Sequence, residues 1–328
     1  MIDNLVKLVL DKGGSITPLK ISAESTGGIG LCNPSIFVDD NKILCNIRHV
    51  EYILYHCPNQ QKYQSHWGPL AYLNPEDDAR LKTINYLCVL NDDLSVKESY
   101  KVDTRYFDKT PIWEFVGLED ARLVKWDNKL YLTGVRRDTT PNGEGRMELS
   151  QVIFKGDIVQ EISRLRIQPP TNEYSYCEKN WMPILDKPYH YIRWANPTQI
   201  VKVDPITGRS EIVFQGEEFK IDTPYQIRGN SQIIPWKKFN IGIIHEVNLW
   251  YNENDNKDAI YTHRIIVWDK QGNIVKTSDA FNFMTAKIEF ACGLVNINNN
   301  IIVTFGFQDN AAFALTIPDK VFEEIING

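Results

Sequence analysis

The chain has 328 residues, a hydrophobic fraction of 43%, 36 Lys and Arg against 42 Asp and Glu, and a formal net charge of −6. That length allows two domains or one large all-β domain with a full core. The acidic balance and the lack of a Lys/Arg run exclude a general grip on nucleic acid, which needs a basic face; a local basic pocket stays compatible with any net charge.

The N-terminal segment has Ile2, Leu5, Val6 and Val9 at helical spacing, and Gly13-Gly14 closes that helix. Asp3 and Lys7 interrupt its apolar pattern. It has no basic start or small-residue cleavage site, so no signal peptide is expected. No apolar run reaches the roughly 18 residues that cross a bilayer. The six cysteines form no CxxC pair, so they read as reduced core thiols, no metal or other cofactor is expected, and a cytoplasmic location follows as the default.

From Ser15 to Ser22 the chain reads as a short strand, and from there as strands divided by Asn, Asp, Gly and Pro turns. Lys42 to His56 is one long strand or a pair, and Ile84 to Leu90 runs into Asn91-Asp92-Asp93. Leu123 to Trp126 and Lys129 to Arg136 flank Asp127-Asn128, which suits a hairpin. Further strands are expected at Met147 to Lys155, Tyr189 to Trp194, Gln199 to Val203, Ile241 to Val247, Ile260 to Trp268, Ile301 to Gly306 and Ala311 to Ile317. Pro318 starts a terminal helix running through Ile326.

Almost no helix separates the strands, so a parallel α/β sheet with crossover helices is not expected. The repeating unit is a hairpin-rich block of roughly 45 to 85 residues, the size of a four-stranded propeller blade. The expectation is one all-β domain over residues 1–328, a five-bladed β-propeller with short terminal helices. Blades begin near Asn33, Glu119, Glu178, Arg228 and Glu289, and the first block carries an insertion at Cys57 to Thr83. A pair of β-sandwiches is the rival architecture.

The blade starts carry the chemistry. They read Asn33-Pro34-Ser35-Ile36, Glu119-Asp120-Ala121-Arg122-Leu123, Glu178-Lys179-Asn180-Trp181, Arg228-Gly229-Asn230-Ser231 and Glu289-Phe290-Ala291-Cys292-Gly293. In a propeller the innermost strands line the axis, so polar groups at their starts converge. Adjacent Glu119 and Asp120 point to opposite faces of a strand; Arg122 shares a face with Asp120. This set reads either as inter-blade ion pairs or as a carboxylic acid handling a proton. Lys179 and Asn180 suit a polyhydroxylated ligand. Arg48, Arg136, Arg137, Arg193 and His245 stand at or near the ends of apolar strands, and guanidinium groups suit phosphate. Glu246 follows His245; Tyr261 and His263 share one strand face. Asp309 sits in a turn after an apolar strand, where a capping role is the default.

In this order the motifs resemble the five-bladed propellers of glycoside hydrolase family 130, the β-mannoside phosphorylases and hydrolases, and the related β-1,2-mannosyltransferases of glycosyltransferase family 108. Glu119-Asp120-Ala121-Arg122 resembles the family's Glu-Asp-Pro-Arg, with Ala121 in place of proline. The later lysine-bearing blade start is similar to Lys179-Asn180. The Gly-rich start before a strand ending in His is similar to Arg228–Ser231 and Ile241–His245, and the last blade's Cys-Gly and strand-end Asp to Cys292-Gly293 and Asp309.

The resemblance implies a glycosyl-transferring enzyme, mannosyl in specificity. It gives Asp120 the general-acid role and phosphate contacts to some of Arg48, Arg136, Arg137, Lys179, Arg193 and His245. The expected partners are a sugar phosphate or sugar nucleotide and an acceptor glycan. Asn33, Glu119, Arg122, Asn180, Arg228, Glu246, Tyr261, His263, Glu289 and Asp309 complete the expected binding set. Glu246 or Glu289 would serve as base in a hydrolase. The competing expectation is a non-catalytic propeller that binds glycans or proteins.

Overall fold

In the computed structural model the described residues are 1–328 apart from 29, 54–61, 66–67, 73–79, 172–173, 252 and 254–256. The expected insertion at Cys57 to Thr83 lies partly outside them; within it, Lys62–Ser65 and Gly68–Tyr72 pair, and Tyr52–Ile53 joins them.

The fold is a five-bladed β-propeller. Each blade is an antiparallel sheet whose first strand is innermost. The first blade runs Leu31–Asp39, Lys42–Val50, Leu81–Leu90 and Val96–Asp103. The second runs Glu119–Trp126, Lys129–Arg136, Arg146–Lys155 and Ile158–Arg166, and its last strand pairs in parallel with Val96–Asp103 over two residues. The third runs Met182–Pro183, His190–Trp194, Gln199–Val203 and Ser210–Gln215. In the fourth, Gln226–Gly229 and Ile234–Trp236 both pair with Phe239–Tyr251, followed by Lys257–Trp268 and Ile274–Thr277. The fifth runs Glu289–Ile297, Asn300–Phe307 and Ala311–Pro318, and the N-terminal strand Ser15–Pro18 completes its edge. This last pairing ties the chain's start to its end.

Side-chain alternation builds the ring. Ala121 and Leu123 pack with Leu44 and Leu87 of the first blade, whereas Val124 and Trp126 pack with Trp181 and Tyr191 of the third. Ile244 and Ile266 face the third blade, and Ile243 and Ile265 face the fifth. Ile36 and Ile47 meet Val295 and Ile302 of the fifth. Every blade thus buries both faces, and the circle of interfaces closes. The helices Leu5–Asp11 and Asp319–Asn327 cover the seam between the fourth and fifth blades. Pro318 occupies the cap position of the second helix rather than its first turn. No helix among the described residues is long and apolar enough to cross a membrane.

The axis is tied together below the site. Gln232 is fully buried; its Nε2 donates to Ser35 Oγ (2.9 Å), Ile36 O (3.0 Å) and Leu123 O (2.9 Å), and its Oε1 accepts from Leu294 N (2.9 Å). One amide therefore joins four blades at the hub.

Candidate active site

The inner strands are not regular where they begin. Glu119 pairs with Val135, but the next pair is Arg122 with Thr133, so one residue bulges out. Asp120 sits in that β-bulge at φ 49, a left-handed conformation in which Asp and Asn are enriched. Asn33 repeats the device at φ 45 in the bulge between Cys32 and Ser35, and the fifth blade bulges at Cys292. Gly134 makes the Asp120 bulge sterically feasible: a Cβ there would lie 2.3 Å from Glu119 O and 3.1 Å from Ala121 Cα. These bulges turn polar side chains toward the hub.

Asp120 accepts from Asn33 Nδ2 (2.6 Å) and Arg48 Nη1 (2.8 Å), both at Oδ1. Its Oδ2 has no protein partner among the described residues. Burial pushes this carboxyl up, but Arg48, Arg122, the Asn33 bond and Lys179 outweigh it and hold the pKa below the ordinary value. Arg48 is held in turn by Thr83 Oγ1 (3.1 Å) and the Tyr52 hydroxyl (2.8 Å). Glu119 lies between two guanidinium groups, 4.0 Å from Arg48 Nη2 and 3.8 Å from Arg137 Nε.

Lys179 is half-buried and makes no hydrogen bond or ion pair among the described residues. Burial, and with it the charges of Arg137 and Arg228, lowers its pKa from the ordinary lysine value. Among the described residues Arg228 is held only by Gln226 Oε1 (3.2 and 2.7 Å), a neutral acceptor. Arg137 donates to Gly143 O (3.0 Å) and Cys177 Sγ (3.0 Å). Arg137, Lys179 and Arg228 therefore form a cluster with less negative charge than positive. His245 pairs in register with Arg228, and its ring lies tilted against Tyr261 at a centroid distance of 5.0 Å. Burial, then His263, Arg228, Lys179 and Arg122, holds the His245 imidazole well below its ordinary pKa. It is a neutral group in the basic cluster, and its buried Nδ1 has no partner among the described residues.

Several residues expected at the site are engaged elsewhere. Arg136 is bound by Glu148 (2.7 Å) and Asp138 (3.0 Å) and lines a cavity between the first two blades with Thr83, Asn85 and Glu161. Arg193 makes a two-pronged bond to Glu178 (2.6 and 3.1 Å) and another to Gln199 (3.0 Å). Glu246 accepts from Arg264 and from Thr262 Oγ1 (3.1 Å). Glu289 accepts the backbone amides of Phe283 (2.7 Å), Met284 (2.9 Å) and Ala286 (3.2 Å), so it shapes a loop. Neither acid is available to activate water. His263 is fully buried against Phe281 and Phe283, and burial lowers its pKa to about 3. Asn180, at φ 61, is buried at the start of the third blade with an unpartnered Oδ1.

Arg122 differs from its expected contact. Its fully buried guanidinium donates to Asn230 O (2.8 and 2.6 Å) and to the Asp120 carbonyl (2.7 Å), not to the carboxylate. It thereby fixes the Asp120 backbone to the fourth blade. Arg122→Leu strands both carbonyls and is expected to cost about 3 kcal/mol in a denaturant titration; Arg122→Lys, lacking the planar fork, will recover only part of this. Gln232, Thr83 and Tyr52 were invisible as supports in the sequence, because their partners lie in other strands or blades.

No family model matches the sequence, and no curated protein matches it. Among solved structures, a β-1,2-mannobiose phosphorylase from Listeria innocua is 11% identical over 91% of this chain and 92% of that one, with a TM-score of 0.54. A GDP-Man-dependent mannosyltransferase from Leishmania mexicana is 14% identical over 94% and 91%, with a TM-score of 0.50. A GH130-family glycoside hydrolase that targets β-1,2 mannosidic linkages in Candida mannan is 12% identical over 88% and 84%, with a TM-score of 0.54. The chain has the fold of the mannoside phosphorylase propellers. At these identities the likeness is one of fold.

Proposed function

We propose that the chain transfers a β-linked mannosyl unit at the propeller hub, with Asp120 as general acid and Arg137, Lys179 and Arg228 as the seat of a phosphate or diphosphate. One observation carries this reading: a carboxylate whose Oδ2 has no partner among the described residues shares its electrostatic field with a lysine that has none among them either. A half-buried cation left unpaired is costly, and an anionic ligand removes that cost.

The chemistry needs few protein groups. In inverting phosphorolysis the glycosidic C1–O bond breaks, the leaving oxygen takes the acid's proton, and a phosphate oxygen bonds C1 from the opposite face. Phosphate is the nucleophile, so no carboxylate base is required. With Glu246 and Glu289 both consumed by structural bonds, hydrolysis by either is not supported. Asp120 is ionised in the empty site, but an arriving anion raises a neighbouring carboxyl's pKa and offsets the pull of Arg48 and Lys179.

Three cations suit two phosphoryl groups better than one, so the donor proposed here is a sugar nucleotide of the GDP-mannose kind and the protein a mannosyltransferase acting on a glycan acceptor. In that direction the acceptor oxygen bonds C1, the C1–O bond to the diphosphate breaks with GDP leaving, and the ionised Asp120 carboxylate takes the acceptor hydroxyl's proton. The Leishmania transferase shares the fold. The test offers GDP-mannose and mannose 1-phosphate separately, each with mannose or mannobiose as acceptor. Release of GDP with growth of the acceptor is expected. Release of phosphate from mannose 1-phosphate alone makes the protein a phosphorylase, and no product from either donor leaves a glycan-binding propeller.

A further inference from the structure

Two adjacent carboxylates stand within reach of one guanidinium. Arg48 Nη1 lies 2.8 Å from Asp120 Oδ1, and Arg48 Nη2 lies 4.0 Å from Glu119 Oε2. The first distance is a charge-assisted hydrogen bond and the second is not. The Glu119 carboxylate makes no hydrogen bond among the described residues, and its other cation, Arg137 Nε, stands 3.8 Å away. On charge alone Glu119 is as good a partner for Arg48 as Asp120.

The contact that separates them is at Nη2. The Tyr52 hydroxyl accepts from this nitrogen at 2.8 Å, and Thr83 Oγ1 accepts from Nε at 3.1 Å. Each nitrogen of Arg48 therefore donates to one acceptor among the described residues, and the phenol holds the nitrogen that faces Glu119. Tyr52 follows the strand Lys42–Val50 after a bend at Glu51. It is buried, and its ring meets Phe115 edge-on at a centroid distance of 6.4 Å. Thr83 lies diagonal to Arg48 on the neighbouring strand, whose Asn85 is the direct partner of Arg48.

We propose that the Tyr52 hydroxyl assigns Arg48 to Asp120 rather than to Glu119, which makes Tyr52 a positioning residue for the proton-handling carboxylate. With Nη2 occupied, the guanidinium presents Nη1 to Asp120 Oδ1. Asn33 Nδ2 takes the same oxygen at 2.6 Å, and Oδ2 is left for the reacting proton. Without the hydroxyl, Nη2 holds a buried N–H that has lost its acceptor, and Glu119 at 4.0 Å offers a charged one. Pairing there turns the fork away from Asp120. Spending Arg48 on one carboxylate and two hydroxyls also leaves the anion seat to Arg137, Lys179 and Arg228.

The other charges acting on Asp120 are those of Arg122, Lys179, Asp309 and its chain neighbour Glu119. Burial keeps the Cys32 and Cys292 thiols and the Tyr52 phenol neutral. Tyr52→Phe alters none of these charges and keeps the ring on Phe115, so a change at Asp120 reports the placement of Arg48.

The full chain carrying carboxyl-labelled aspartate is titrated by NMR without ligand, and Asp120→Asn identifies the signal. Arg48 helps to hold this carboxyl below its ordinary value, so Tyr52→Phe is expected to raise the midpoint by about half a unit or more. In a Glu119→Gln background the shift caused by Tyr52→Phe is expected to shrink to less than about half, because the rival charge is gone. A midpoint unmoved by Tyr52→Phe overturns the proposal. Equal shifts in both backgrounds overturn it too, since Tyr52 then acts by packing alone. Should acid unfold the protein before Asp120 titrates, the crystal structure of Tyr52→Phe answers instead: Nη2 within hydrogen-bond distance of Glu119 supports the proposal, and Arg48 unmoved on Asp120 overturns it. The inference rests on the proposed role of Asp120 for its catalytic consequence, but neither measurement needs a substrate. A protein without mannosyl transfer can still show the assignment, and an active one can lack it, so the two readings fail separately.

Discussion

Asp120→Asn is expected to lower mannosyl turnover by about 10²- to 10⁴-fold, the span of a positioned general acid, while the propeller stays folded. Asparagine keeps an oxygen for Asn33 and Arg48, so both bonds at that position persist. What is lost is the group that moves the acceptor oxygen's proton, and the negative charge. Sugar-phosphate binding persists or tightens, because a carboxylate beside the anion seat is gone. Turnover with the correct donor at the wild-type rate removes Asp120 from the acid role.

The same substitution has a pH signature. The folded Asp120 carboxyl is held below its ordinary pKa, so its stabilising contribution is complete above the unfolded value of about 3.9. It is lost as pH falls through the lower folded value. The stability gap between wild type and Asp120→Asn, followed by thermal melting, is therefore expected to narrow in acid.

Lys179→Met is expected to weaken phosphate or GDP binding by roughly 10- to 150-fold, the equivalent of about 1.5–3 kcal/mol for a charge-assisted hydrogen bond. Isothermal titration with phosphate and with GDP measures it, and the salt dependence of the remaining affinity should fall. The variant is expected to melt no lower than the wild type. A lysine whose pKa is depressed on folding loses stability at neutral pH, where the unfolded chain binds the proton more readily; methionine has no such cost. Arg136→Met is the control: it leaves anion binding unchanged and destabilises the protein, because Glu148 and Asp138 lose their buried partner. Equal anion affinity in Lys179→Met and the wild type overturns the assigned seat.

These paired variants show where residue type stops being informative. Arg136 and Arg137 are neighbours at one strand end, yet one is enclosed by carboxylates 2 and 12 residues away and the other faces Glu119 and Cys177. Arg193 meets Glu178 across 15 residues, Glu246 meets Arg264 across 18, and Arg122 reaches Asn230 across 108. No local pattern reports such pairings, so the partner each charge takes is not legible in the sequence.

The amino-acid order by itself determined the hairpins and the number of blades, because apolar runs and turn residues act over a few positions. Gln199–Val203 and Ala311–Pro318 lie where the turns bracket them. It also marked polar motifs in or beside the inner strands, since charged groups next to apolar runs stand out. The outer strands Val96–Asp103 and Ser210–Gln215 were illegible: their side chains are largely half-buried or exposed, so pairing with a neighbour and not apolar period makes them strands. The bulges at Asn33 and Asp120 were likewise settled by cross-strand register and by the room that Gly134 leaves. Only the closed ring decided which carboxylate or carbonyl each cation meets. Each charge takes the best partner within reach, and reach is fixed by the packing of distant strands around one axis.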